Sequence, residues 1–178
     1  MIRTLIVLIL AIPLPAKDVY FTRSGVISFF SSAPLEDIEA YNQQVTCVLD
    51  REKGEVAFQA PIRGFTFKNA MMQEHFNENY MESDKFPKAL FKGNIENWDS
   101  LVLSDSSQSV HLVGSMTIHG VTQDIKELGT IALSENGIDG FAKFQIRVVD
   151  YEIEIPKIVR KNIAAIVDVS VKVKLKKK

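Results

Sequence analysis

The stretch that decides the fold runs from Phe65 to Gly93 and reads FTFKNAMMQEHFNENYMESDKFPKALFKG. It begins with strand-forming residues, continues as about four predicted helical turns and returns to a strand after Pro87. The apolar residues of the helix share one face, where Met72, Phe76 and Tyr80 are flanked by Ala70, Met71 and Met81. The rest of the chain reads as β-structure, so this amphipathic helix has no helical partner. We therefore expect it to pack on the open face or the mouth of a β-barrel.

The segments around the helix alternate between apolar and polar residues, which is the period of a half-buried strand. One segment carries Val110, Leu112, Gly114, Met116 and Ile118 on one face. The last segment has the longest alternation, with Ile163, Ala165, Val167, Val169, Val171, Val173 and Leu175 pointing one way. About eight such strands with turn signals between them predict an all-β fold, a closed antiparallel barrel or a sandwich, with one helix inserted. We also expect a short helical turn at Leu35–Ala40.

The N-terminus has the composition of a targeting segment. Arg3 gives it a short basic start, residues 5–14 are almost wholly apolar, and the small residue Ala16 precedes the polar Lys17. This order predicts a secretory signal peptide over residues 1–16, cleaved near Ala16. The apolar run is shorter than the roughly 20 residues that span a bilayer. The remaining residues, 17–178, would form one periplasmic or secreted domain.

The charge balance argues against a nucleic-acid role, because 21 basic and 22 acidic residues give a net charge of −1. Basic residues concentrate at the C-terminus, at Lys172, Lys174, Lys176, Lys177 and Lys178. The first three alternate with apolar residues, so they are expected on the outer face of the final strand. This cluster leaves open a peripheral contact with anionic lipid headgroups.

The single cysteine, Cys47, shares a strand face with Val45 and Leu49. It cannot form an internal disulfide, and no basic neighbour would activate its thiol. We therefore interpret Cys47 as a small buried apolar residue. The domain must be stable in an oxidising compartment through its core alone.

Three histidines suggest catalysis or metal binding, but the sequence gives this interpretation little support. His75 lies on the helix near Glu74 and Glu78, yet no further cluster completes the three or four ligands of a metal site. His111 faces away from the apolar side of its strand, and His119 occupies a hairpin tip before a glycine. The sequence contains no nucleophile elbow, phosphate loop or zinc motif. We expect no enzyme activity, no metal and no cofactor.

The interior of an eight-stranded barrel is either filled by side chains or open to one small ligand. The inward positions here are rich in phenylalanine and methionine, which suit both arrangements. Adaptable methionines and a helix able to cover the mouth favour an apolar cavity. The candidate ligand-binding residues are Phe21, Phe29, Phe58, Phe67, Met71, Met72, Phe76, Phe91, Ile95, Met116, Phe144 and Ile146.

Several motifs together resemble the YceI-like polyisoprenoid-binding proteins. Met72–Phe76 (MQEHF) resembles the helical connection of one subgroup, and Asp84–Phe91 (DKFPKALF) resembles the P-x-A-x-F element. Gly114–Thr122 (GSMTIHGVT) is similar to the G-x-L-T-x-x-G-V-T hairpin, with Met116 in place of leucine. Phe144–Tyr151 (FQIRVVDY) and the final alternating strand follow in the expected order. The similarity covers nearly all of residues 18–176.

The resemblance implies an eight-stranded, lipocalin-like antiparallel barrel, secreted to the periplasm and often dimeric. It also implies a long apolar cavity for an isoprenoid or a similar fatty chain. The leading hypothesis is therefore a periplasmic carrier of a long-chain amphiphile. Two alternatives are left open: a filled barrel serving as a structural or protein-interaction unit of the envelope, and an enzyme acting on a lipid or quinone with His75 or His119 as acid or base.

Overall fold

The computed structural model describes residues 18–155 and 163–178, so the predicted signal peptide lies outside the described residues. This part of the chain forms nine strands, one short helix and several short helical turns. The strands are β1 Val19–Ser32, β2 Asp37–Asp50, β3 Glu55–Pro61, β4 Phe65–Phe67, β5 Lys88–Ile95, β6 Gln108–Ile118, β7 Val121–Ser134, β8 Gly137–Arg147 and β9 Ile166–Lys177. The helical turns lie at Ile62–Gly64, Trp98–Ser100 and Val148–Tyr151.

Eight of these strands close an antiparallel barrel, which confirms the predicted fold class. Hydrogen-bonded neighbours follow the order β1-β9-β8-β7-β6-β5-β3-β2, and β2 pairs back onto β1 along its whole length. The alternation predicted for the last strand is confirmed within β9, where Val169, Val171, Val173 and Leu175 are buried. Closure leaves none of these eight strands as a free edge.

The ninth strand, β4, is short and pairs only with the first half of β2. The strand β2 therefore changes partner along its length, from β4 at Ala40–Asn42 to β3 at Thr46–Asp50. The fully buried Asn42 side chain lies at this change of partner. It donates a hydrogen bond to the Pro61 carbonyl at 2.7 Å and accepts one from the Gln44 amide at 2.8 Å. These two bonds supply partners for the Pro61 carbonyl and the Gln44 amide where the strand pairing changes.

The helical turn expected at Leu35–Ala40 is a wrong prediction. Strand β2 already begins at Asp37 and pairs with β1 from the Ser32–Asp37 pair onward. Pairing with β1 overrides the weak local preference because it satisfies the backbone of the whole segment.

The predicted amphipathic helix is present, but it is shorter and less regular than expected. Helix α1 spans Ala70–His75 and continues as a π-helical turn over Phe76–Tyr80. In that wider turn the Met81 amide donates to the Phe76 carbonyl at 2.9 Å. The extra residue per turn brings Met81 round to the apolar side, where it is buried. No helix within residues 18–155 and 163–178 is long and apolar enough to cross a bilayer.

The end of the barrel away from the helix is filled by side chains. Its buried residues include Tyr20, Cys47, Leu49, Val56, Ile95, Val110, Ile131, Ile138 and Leu175. The predicted burial of Cys47 is confirmed. The Trp98 indole covers this end, where it packs on Gly54 and donates from Nε1 to the Arg51 carbonyl at 2.8 Å. One half of the barrel is therefore packed core.

Candidate functional site

The helix end of the barrel encloses an apolar cavity of about 440 Å³. Its barrel wall is formed by inward-facing residues, which include Ile27, Phe29, Ala60, Ile62, Ala89, Met116, Ile118, Phe144, Ile146, Val167 and Val169. The volume falls within the roughly 300–1,000 Å³ typical of pockets for small organic ligands. The half of the barrel next to the helix is thus hollow, whereas the half away from the helix is packed.

Most of the predicted binding residues come together in this cavity. Those that line it are Phe29, Phe67, Met71, Met72, Phe76, Met116, Phe144 and Ile146. Phe58 and Ile95 instead line a second apolar cavity of about 50 Å³ in the packed half. Phe91 is buried but lines neither of these two cavities.

Phe21 is not brought to the cavity, contrary to expectation. Tyr20 and Thr22 are the buried residues at the start of β1, so strand alternation turns Phe21 to the outer face. Phe21 is half-buried there, and its cross-strand partner on β2, Val48, is exposed. Alternation places Phe21 on the face opposite Tyr20 and Thr22, but the sequence does not by itself show which of these two faces points inward.

Phe76 attaches the helix to the barrel through a cluster of aromatic rings. Its ring centroid lies 4.9 Å from that of Phe67, 5.5 Å from Phe65 and 5.6 Å from Phe29. Such offset and edge contacts add to the free energy gained by burying the rings. The short strand β4 supplies two of these rings, and the helix becomes part of the cavity wall.

A few polar side chains lie in the otherwise apolar lining. They are Ser31, Glu36, Asn69, His75 and Tyr80. Burial raises the pKa of the Tyr80 phenol, so at neutral pH this hydroxyl keeps its proton and can donate a hydrogen bond. Ser31 is already engaged, because its Oγ accepts a hydrogen bond from the Ala164 amide at 3.0 Å. Ser31, Glu36 and Asn69 were not identified from the sequence, because isolated polar residues in turns and on strand faces give no periodic signal, whereas the spacing of Tyr80 had already placed it on the apolar face of the helix.

Three isoleucines from the connection between β8 and β9 complete the wall of the cavity. Ile153, Ile155 and Ile163 all line it, and none was among the candidate ligand-binding residues, although the alternation of the last segment had placed Ile163 on its apolar face. The alternation of isoleucine and glutamate at residues 152–155 was a signal that could have identified the first two.

His119 joins three elements near the mouth rather than presenting a free turn. It forms a tight turn with Gly120 between β6 and β7, and both residues have positive φ angles, 51° and 79°. Its Nε2 lies 2.9 Å from Glu82 Oε2, just after the helix, and its Nδ1 lies 3.2 Å from the Tyr151 carbonyl. Both partners accept hydrogen bonds, so both bonds form together only when the ring carries two protons. The Phe86 ring packs edge-on against the imidazole at 4.6 Å.

The other two histidines are exposed, as predicted for His111. His111 faces Glu96, with Nδ1 3.6 Å from the carboxylate, and His75 lies on the helix in the cavity lining. Within the residues that the structure describes, no three histidine, cysteine, aspartate or glutamate side chains are grouped so as to hold a metal ion. His119 does not line the cavity, so it is not placed to exchange a proton with a ligand held there.

The C-terminal lysines lie at the packed end of the barrel, away from the cavity mouth. Lys176 and Lys177 pair with Phe21 and Tyr20 at the start of β1, whereas the cavity reaches Ser31 at its end. The strand therefore carries its positive charge to the end opposite the helix.

Comparisons with known proteins agree with this architecture. The sequence matches the family described as YceI-like domain over residues 24–176. A polyisoprenoid binding domain from Saccharophagus degradans, implicated in plant cell wall breakdown, aligns with a TM-score of 0.78 at 13% identity, covering 92% of this chain and 100% of that chain. BcnA from Burkholderia cenocepacia aligns with a TM-score of 0.68 at 14% identity, covering 85% and 94%.

The YCEI protein of Campylobacter jejuni is also similar, with a TM-score of 0.58 at 15% identity over 78% of this chain and 84% of that chain. At these identities the likeness shows a shared fold. No curated protein matches the sequence.

Proposed function

The chain belongs to the YceI-like domain family, and on this basis we propose that it binds a polyisoprenoid or another long-chain amphiphilic lipid in its cavity. The single observation that carries the proposal is the apolar volume of about 440 Å³ at the helix end. A filled barrel acting only as a structural unit would have no such space. The polyisoprenoid-binding domain from Saccharophagus degradans, which has the same fold, supports the same ligand class.

The walls of the cavity suit a ligand that binds mainly through the hydrophobic effect. Each methylene group moved from water into the cavity contributes roughly 0.8 kcal/mol. A chain of isoprene or methylene units therefore binds without specific polar contacts along its length. Discrimination between chains of similar width would be modest, because a hydrophobic wall distinguishes single methylene groups weakly.

The polar end of the ligand is proposed to lie near the polar residues of the lining. Tyr80 offers a hydroxyl donor at the end of the helical segment, and the same lining contains Asn69 at the start of the segment and His75 in its middle. These groups suit a hydroxyl, carbonyl or amide better than a strongly anionic group, because Glu36 adds a negative charge to the same lining.

We propose a periplasmic or secreted location, with a carrier role between membranes or enzymes. The basic and apolar N-terminal residues 1–16 support this location through their resemblance to a signal peptide. Homodimer formation and peripheral membrane contact through the C-terminal lysines stay predictions from the sequence.

The direct test is to purify the protein from its native host, extract it with organic solvent and analyse the extract by mass spectrometry. We expect an apolar chain with one polar end, present in a fixed ratio to protein. The proposal fails if extracts repeatedly contain no such molecule and the purified protein takes up no added prenol or fatty alcohol.

Replacement of a cavity phenylalanine by a charged residue provides a second test. Phe144→Glu places a carboxylate in the cavity wall. We therefore expect the affinity for a prenol to fall by about a hundredfold or more. Phe141→Glu is the matched control, because Phe141 lies on the same strand, is 40% exposed and faces Lys172. Binding is measured by titration with farnesol after circular dichroism shows that both variants are folded. Equal affinities in the two variants would place the binding site elsewhere.

A further inference from the structure

We propose that Phe91 forms a floor across the barrel that limits the length of the ligand chain, so that this protein selects amphiphiles whose apolar chain ends at that floor. This inference rests on the proposed lipid-binding function and adds a chain-length limit to it. The cavity therefore accepts a medium-length chain rather than one that threads the whole barrel.

Phe91, which forms the floor, is flanked by one side chain on each adjacent strand. Phe91 on β5 pairs with Phe58 on β3 and with Met116 on β6. The rings of Phe58 and Phe91 lie 6.1 Å apart and are tilted by 60°, which is a packed aromatic contact. Met116 lines the large cavity on one side of Phe91, and Phe58 lines the small cavity on the other side. Phe91 lies between the two cavities and is only 8% exposed.

Two glycines explain how the Phe91 ring fills this level of the barrel. Gly93 and Gly114 pair directly across β5 and β6, so this part of the wall has no side chains of its own. The Phe91 ring extends over Gly93, where an added Cβ would lie 2.7 Å from Phe91 Cζ. The ring thus occupies the space that a side chain at position 93 would need, and close packing holds it there.

The opposite wall also passes from the large cavity to the small one between successive inward-facing positions. On β9, Val169 lines the large cavity and Val171 lines the small one. On β8, Phe144 lines the large cavity and Ala142 lines the small one. The division between about 440 Å³ above and about 50 Å³ below therefore extends across the barrel, rather than being a local constriction.

The small cavity below the floor is itself apolar, with Leu49 and Ile138 in its lining. Removing the Phe91 ring would join it to the large cavity and extend the apolar channel toward the packed end. A longer chain would then bury more of its length, and each further buried methylene group raises affinity roughly fourfold.

The experiment compares the affinities of geraniol, farnesol and geranylgeraniol, which carry two, three and four isoprene units. For the unmodified protein we expect affinity to rise with chain length and then to level off. Phe91→Ala should bind geranylgeraniol more than about tenfold tighter than the unmodified protein does, because at least two further methylene groups are buried. Phe30→Ala is the matched control on the outer face, where Phe30 is 39% exposed.

Methyl NMR on the unmodified protein gives a second test that needs no mutation. At saturation with geranylgeraniol, the methyl signals of Met116 and Ile146 above the floor should shift. Those of Ile131 and Ile138 below it should not. In Phe91→Ala, both groups should shift.

The outcomes separate this inference from the proposed function. If the unmodified protein binds none of the three prenols, the lipid-binding proposal fails and the floor fails with it. If it binds all three and geranylgeraniol shifts Ile131 and Ile138, the chain passes Phe91 and only the floor is overturned. If Phe91→Ala is folded and leaves the length profile unchanged, the floor is overturned as well.

Discussion

At the scale of single residues, burial decides the chemistry of Cys47. Its side chain is 1% exposed and lies in the packed half of the barrel. Burial raises the pKa of the thiol from its ordinary 9.0 to about 12, because the thiolate would lose its hydration. The residue thus behaves as a small apolar group, and its reactivity reports whether the barrel is open.

This shift predicts how stability depends on alkaline pH. Below about pH 9 the thiol is protonated in both the folded and the unfolded state, so its contribution to stability is fully present. Between about 9 and 12 the unfolded state loses this proton and the folded state keeps it. The free energy of unfolding should therefore fall by up to about 1.4 kcal/mol per pH unit as pH rises through this range.

Urea unfolding across mildly alkaline pH measures this slope, with Cys47→Ala as the reference that lacks the thiol. Other groups titrate in both proteins, so only the difference between the two slopes is assigned to Cys47. Parallel slopes would mean that the thiol ionises equally easily in the folded protein.

At the scale of elements, the helical segment is held by different contacts at its middle and just after its end. Phe76 packs into the aromatic cluster near the middle of the segment, with its ring stacked on Phe29 at 5.6 Å. Just after the segment, Glu82 receives the hydrogen bond from His119, which also reaches the Tyr151 carbonyl. The β6–β7 turn therefore connects the end of the helix to the connection that follows β8.

Removing this connection should loosen the helix end without disturbing the hairpin. His119→Asn suits the purpose, because asparagine tolerates the positive φ of this position but is too short to bridge both partners. We expect amide exchange at Met81 and Ser83 to become about three- to tenfold faster, since the partly exposed hydrogen bond between the imidazole and Glu82 is lost.

Hydrogen exchange followed by NMR measures this effect, and His111→Asn is the matched control on the exposed face of β6, the strand that precedes the His119 turn. The β6–β7 ladder should keep its protection in both variants. Unchanged exchange at Met81 in His119→Asn would show that the aromatic cluster alone holds the helix.

At the scale of the whole molecule, the ion pairs at the barrel seam and the empty space inside the barrel lie at different ends. The barrel seam is joined where β1 begins and β9 ends, with Asp18 Oδ1 2.8 Å from Lys177 Nζ and its Oδ2 3.3 Å from Arg51. The hydrogen bond from Lys177 lowers the pKa of the Asp18 carboxyl. This seam lies at the packed end of the barrel, and the cavity occupies the other end. A ligand in the cavity is proposed to complete the core at that other end.

A bound chain should therefore stabilise the folded protein as a whole. With farnesol at a hundred times its dissociation constant, the free energy of unfolding should rise by about 2.7 kcal/mol. For a domain of this size, such a gain raises the melting temperature by roughly 5 to 10 °C. Calorimetric scans with and without farnesol measure the shift, and Phe144→Glu should show none. A melting temperature insensitive to farnesol, despite measurable binding, would indicate a site outside the cavity.

From the amino-acid sequence, strand alternation predicted an antiparallel barrel or a sandwich and assigned most of the inward-facing residues, and the family resemblance favoured the barrel. Alternation with period two is a local property, so Val169, Val171 and Val173 could be assigned to one face from the sequence. The amphipathic spacing of Met72 and Phe76 likewise indicated which helix face would meet the barrel.

Only the tertiary structure decided where the interior is filled and where it is hollow. Phe91, Phe58 and Phe144 lie in similar alternating patterns in the sequence. In the structure, Phe91 lies between the two cavities, Phe58 lines the small cavity and Phe144 lines the large one. Their roles depend on the register between strands, and on glycines such as Gly93 whose missing side chain leaves room for a neighbouring ring. The physical reason is that alternation fixes the side of a strand, whereas free volume depends on what every other strand places at the same height.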